Sequence, residues 1–161
     1  MAEIKFKSSG IKTDSPGLFQ KVEAPPVGIK TPVEIGRKRS GLFQMHFNPI
    51  SQISDNLKNL ILTNHGERLG NYYFGANLQP LTTEIGSQDN FESQAMSRIQ
   101  EAVRKSMPYI ELETFVSNFD KSIDRAGSSK GVVKVDLDIK YSIPTLRKSG
   151  LKITVSLYCI G

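Results

Sequence analysis

Along residues 132–143 every second position is apolar. Val133, Val135, Leu137, Ile139, Tyr141 and Ile143 fall on one face, and Lys134, Asp136, Asp138 and Lys140 on the other. A period of two predicts a strand with one buried and one wet face. "LKITVSLYC" repeats the scheme, with Leu151, Ile153, Val155, Leu157 and Cys159 inward. "YIELETFVSNF" is read the same way, with Ile110, Leu112, Thr114 and Val116 opposite Glu111 and Glu113. Turn-forming stretches at 124–131 (DRAGSSKG) and 144–150 (PTLRKSG) separate the three. The pattern predicts a three-stranded antiparallel meander with one apolar face.

Upstream the period lengthens to that of a helix. Ile50, Ile53, Leu57, Leu60 and Ile61 form a stripe, with Asn48 as N-cap, Pro49 at the first helical position and Gly66 just past the end. A second stripe, Phe91, Ala95, Ile99, Ala102 and Val103, follows a cap at Ser87 or Asp89. Arg104 and Lys105 complement the carboxyl end of its dipole, and Pro108 closes it. "GLFQMHFN" before the first helix reads as a short strand. Two amphipathic helices must cover the apolar face of the meander, which gives an α+β fold of two layers. That domain occupies 41–161. Residues 1–40 hold four of the eight prolines and read as an extended arm, either a disordered tail or a segment that a partner would order.

Composition narrows the chemistry. The chain has 161 residues, 38% of them hydrophobic, and a mean hydropathy of −0.29. No stretch has the roughly 18 to 20 apolar residues of a membrane span, and MAEIKFKSSG has no apolar leader core. With one cysteine and two histidines, no disulfide, metal site or cofactor is expected, and a cytoplasmic origin follows. The net charge of +5 is concentrated in residues 1–40, which hold eight Lys/Arg against four Asp/Glu. These cations are spaced apart save for Arg37-Lys38-Arg39, so nucleic acid is not the expected partner.

The stretch "LTNHGERLGNYYFG" (62–75) concentrates the candidate chemistry. Its glycines, at 66, 70 and 75, lack the spacing of a phosphate-binding loop. For catalysis it offers Glu67 with His65 and Arg68. Glycoside hydrolysis needs two carboxylates, however, and the next acid is Glu84. As a turn it is well made. Gly66 ends the helix, Gly70-Asn71 allows a reversal, Tyr72-Tyr73-Phe74 returns aromatic bulk toward the sheet, and Gly75 allows close passage of the chain.

Thr63, Gly66, Glu67, Arg68, Phe74, Gly75 and Leu78, set between two helices and antiparallel strands, resemble the baseplate wedge family of contractile-tailed bacteriophages. Relatives of that family occur in type VI secretion and other contractile injection systems, and some are labelled lysozyme-like. The match spans roughly residues 48–160. The resemblance implies a non-enzymatic, late structural protein of the virion tail, assembled in the host cytoplasm. It would link the helical core bundle of the wedge to the first ring of the contractile sheath, and would template sheath assembly by taking a strand from the sheath subunit. Partner-binding residues would be Gly66, Glu67, Arg68, Phe74 and Gly75 in the loop, and Lys134, Asp136 and Lys152 on the sheet. The family's Glu-Pro-Arg docking tripeptide is replaced here by Met107-Pro108-Tyr109, which would bind the partner through an apolar contact and a phenolic hydrogen bond or else complete the core. The N-terminal arm would lie along other inner-baseplate proteins. The alternative is a peptidoglycan hydrolase with Glu67 as general acid.

Overall fold

The computed structural model describes residues 25–36, 42–83, 88–120 and 132–160. Its elements, in chain order, are β1 (Gly28–Ile29), β2 (Met45–His46), α1 (Pro49–Leu62), α2 (Gln79–Thr83), α3 (Gln88–Ser106), β3 (Glu111–Asp120), β4 (Val132–Ile143) and β5 (Lys148–Ile160). A 3₁₀ turn, Pro144–Leu146, links the last two strands. The sheet β3-β4-β5 is the expected antiparallel meander, and the chain is an α+β protein.

Helix α1 begins as its sequence dictates. Asn48 Oδ1 accepts the Ile50 amide at 2.9 Å, and Pro49 occupies the first turn. Its end differs from the expectation. Thr63 turns extended (φ −81°, ψ 131°), and both its amide and its hydroxyl return to Asn59 O. The hydroxyl is a second donor to a carbonyl that the amide already meets, so the helix closes at Thr63 without a positive-φ residue, and Gly66 serves the following turn. Helix α3 buries the predicted stripe Phe91, Ala95, Ile99, Ala102 and Val103. Asp89 lies inside that helix rather than capping it, and Ser87 lies outside the described residues. The short α2 was not read from sequence; its Leu81 and Thr82 are buried beside Leu78.

Strands β4 and β5 alternate as expected: Val135, Leu137, Ile139, Tyr141 and Ile143 are buried, as are Ile153 and Val155. The side chains of Val133 and Cys159 lie outside the described set. The Tyr141 hydroxyl, fully buried, meets Ser54 Oγ of α1 at 2.6 Å, which satisfies the one polar atom that this ring carries into the core.

Strand β3 departs from the expected alternation. Leu112 pairs with Tyr141, yet Thr114 pairs with Lys140, so Glu113 is an extra residue in a β-bulge. One extra residue reverses the facing of all that follows. Phe115, Ser117 and Phe119 therefore point to the helices, and Val116 is 52% exposed. Phe119 meets Phe91 edge-on, with ring centroids 5.6 Å apart.

Residues 25–36 of the expected arm pack on the chain's own domain. β1 pairs with β2, and Ile35 bridges Phe43. Asp55 of α1 anchors this ribbon through the Thr31 amide (2.9 Å), the Thr31 hydroxyl (3.2 Å) and His46 Nε2 (2.7 Å). Asn59 Nδ2 adds a bond to Thr31 Oγ1 at 3.1 Å. Burial resists the ionisation of Asp55, but the hydrogen bonds from His46 and Thr31 outweigh it and hold its carboxyl below the ordinary 3.8.

Candidate docking surfaces

The loop from Thr63 to Leu78 is braced almost entirely from within. The Glu67 carboxylate accepts both the amide and the side-chain Nδ2 of Asn64, each at 2.9 Å. These bonds hold its pKa below the ordinary carboxylate value, side-chain contribution first. Asn64 also exchanges two bonds with Gln79 at the start of α2. Gly66 (φ +87°) donates to Tyr72 O at 2.8 Å and closes the loop's neck. Gly75 (φ +107°) passes so close to α1 that a Cβ there would lie 2.1 Å from Thr63 O, which only glycine allows. Asn77, itself at φ 51°, receives the His65 amide on Oδ1 and the Arg98 guanidinium on its carbonyl, the latter at 2.6 Å.

Of the loop residues predicted for partner binding, Gly66, Glu67 and Gly75 thus shape the loop. Arg68 is stacked over Phe74, its guanidinium carbon 3.8 Å from the ring centroid. Phe74 packs against the core, as expected. Tyr72 and Tyr73 do not: they are 63% and 64% exposed. The reversal closed by the Gly66–Tyr72 bond turns both rings to the rim, where they meet edge-to-face at 5.1 Å. His65 lies 5.8 Å from Tyr73, and Lys105 of α3 stands 5.4 Å from the same ring. Sequence reasoning missed this rim. Two adjacent tyrosines beside two positive-φ glycines were its signal.

At the end of α3, Met107 is buried in the core, while Pro108 and Tyr109 are exposed. Partial burial pushes the Tyr109 phenol up.

The open face of the sheet carries a connected polar ladder. Lys134 Nζ meets Asp136 at 2.8 Å, and Ser156 donates to the same carboxylate at 2.5 Å. Thr154 donates to Asp138 at 2.6 Å, and Lys152 pairs with it at 3.0 Å. Lys140 and Lys152 stand directly opposite each other, a repulsive pairing that the lean of Lys152 toward Asp138 relieves. Both aspartates are held below the ordinary 3.8, Asp136 first by Lys134 and Asp138 first by Thr154. The sheet face thus displays Lys134, Asp136 and Lys152 together, on the side away from the buried core to which Met107 belongs.

Among the described residues no three His, Cys, Asp or Glu side chains lie close enough to share a metal ion, and no helix is long and apolar enough to cross a membrane.

No protein-family description matches the chain, and no curated protein sequence matches it. Similarity emerges at the level of fold. A crystal structure described as a candidate tail lysozyme of Geobacter sulfurreducens aligns with 71% of this chain and 94% of its own, at 16% identity and a TM-score of 0.56. A chain in the 6-fold symmetrised cryo-EM structure of the anti-feeding prophage baseplate aligns over 81% of each chain, at 13% identity and a TM-score of 0.49, too low to establish a common fold. The α+β fold described above is shared with the Geobacter protein.

Proposed function

We propose that this chain is a non-enzymatic baseplate subunit of a contractile tail, joining helical wedge proteins to the first sheath ring and accepting a strand from the sheath subunit. The observation that carries this reading is the three-stranded sheet, covered on one face only and ending in two strands whose outer edges have no described partner. An edge strand presents unpaired amides and carbonyls, a template for strand addition. Each edge strand has one irregularity: beyond the bulge at Glu113 β3 runs regularly from Thr114 to Asp120, and beyond the shift between Lys148 and Leu151 β5 runs regularly over the longer stretch to Ile160. A longer uninterrupted edge offers more unpaired amides and carbonyls, so β5 is the edge proposed for the incoming strand. The fold shared with a protein described as a candidate tail lysozyme supports a place in a tail, and the motif from Thr63 to Leu78 supports the baseplate reading.

The chemistry of Glu67 favours assembly over hydrolysis. A general acid must hold a proton near neutral pH and therefore needs a raised pKa, usually through burial. Glu67 is exposed, and its hydrogen bonds from Asn64 favour the ionised form. The two readings part in a complementation experiment. Particles from a strain lacking the gene should carry tubes without sheath, and the Glu67→Gln variant should restore sheathed tails. Sheathed particles in the deletion strain would overturn the proposal. So would a purified protein that degrades peptidoglycan and loses that activity in Glu67→Gln.

A further inference from the structure

Between the loop and α3 lies a cleft of about 340 Å³, lined in part by His65, Tyr73, Arg98, Glu101 and Lys105. Arg98 and Lys105 are seven residues apart, two helical turns on one face, so both cations address the same space. Arg98 is half-buried. One of its donors meets Asn77 O, and among the described residues it makes no ion pair. A guanidinium has five donors in a fixed fork, and one carbonyl leaves most of them to be satisfied. Beside the cleft the chain exposes Tyr72 and Tyr73, and Leu69 is fully exposed. Aromatic rings next to Arg, around a concave centre, are the composition in which binding energy concentrates at protein interfaces.

We infer that this cleft is the docking site for an acidic segment of a partner protein, one carboxylate entering between Arg98 and Lys105 while an apolar neighbour packs on Tyr72 and Tyr73. The inference rests on the assembly reading and names the chemistry of one partner. Charge complementarity selects the occupant: two lining cations face one lining anion, Glu101, which leaves room for a single added carboxylate. A polyanionic strand would set successive phosphates against Glu101, so nucleic acid fits the cleft less well. The exposed apolar rim also calls for a neighbour that a free phosphate lacks.

The test uses the full-length protein in assembling particles. A photo-crosslinking phenylalanine analogue replaces Tyr73 and, in a separate variant, Tyr158 on the open sheet face. The expected result is a Tyr73 adduct in purified particles whose partner peptide carries Asp or Glu within a few residues of the linked atom. In parallel, Lys105→Glu, at an exposed position, should lower incorporation into particles by at least about tenfold, and Lys105→Arg should retain it. Unchanged thermal melting would show that the fold survives. Lys105→Glu incorporated like the parent, or Tyr73 adducts confined to segments without acidic residues, would overturn the inference while leaving the assembly reading intact. Absence of the unmodified protein from particles would overturn both.

Discussion

The two faces of the sheet use the same strands for different purposes. On the covered face Val135, Leu137, Ile139 and Tyr141 are each at most 1% exposed and meet the helices. On the other face Lys134 pairs with Asp136 along β4, while Asp136 and Asp138 meet Ser156, Thr154 and Lys152 on β5, and all remain in reach of solvent. Burial of apolar surface holds the domain together, whereas exposed ion pairs contribute little to stability. The residues of the open face can therefore change at little cost to the core.

Mutations should break this contrast unequally. Leu137→Ala, on the covered face, removes a fully buried side chain and should destabilise the protein by about 3 kcal/mol in denaturant unfolding. A loss below about 1 kcal/mol would mean that the helices pack loosely there. Gly75→Ala extends the test to the loop. The added methyl meets a backbone carbonyl at a positive φ, and about 2 kcal/mol should be lost, with Tyr73 displaced from Lys105. Retained stability would mean that the loop can be re-threaded.

The N-terminal ribbon should respond to acid. The Asp55 pKa is depressed in the folded protein, so its contribution is fully present above the ordinary 3.8 and is lost as pH falls through the lower folded value. Protection of the Thr31 amide, taken against its intrinsic exchange rate at each pH, should fall in that acid range, and Asp55→Ala should show the lower protection already at neutral pH. Protection independent of both would remove Asp55 as the anchor. The smallest effect belongs to the open face. Asp138→Ala should shift the melting temperature by no more than about 2 °C, and added salt should shrink the difference further. A large shift would mean that the polar ladder stabilises the fold and is not free for a partner.

Legibility in the sequence follows the same division. Strands β4 and β5 were readable because their described inward positions, Val135, Leu137, Ile139, Tyr141 and Ile143 with Ile153 and Val155, keep the period of two without interruption. In β3 the bulge at Glu113 shifted the alternation. Thr114 and Val116 sat at the expected inward spacing, yet Phe115 and Phe119 carry the larger apolar surface and win the core. Their odd positions, after Ile110 and Leu112 at even ones, were the available signal. The end of α1 was misplaced because a threonine hydroxyl can close a helix that a glycine was expected to end. Chain passage at Gly75 was legible because few residues other than glycine fit so close an approach. The tyrosine rim was not, since the facing of Tyr72 and Tyr73 depends on the long-range neck bond from Gly66. The pinning of residues 25–36 was equally hidden. Asp55, Asn59, His46 and Thr31 meet from three separate segments, and no local pattern announces such a contact.

Cross-linking mass spectrometry on intact, purified contractile particles tests the central claim most directly. The account predicts links from Lys140 or Lys152 on the open sheet face to the sheath subunit, together with links from Lys105 to a helical wedge protein. A protein missing from the particles, or linked only to copies of itself, would contradict it.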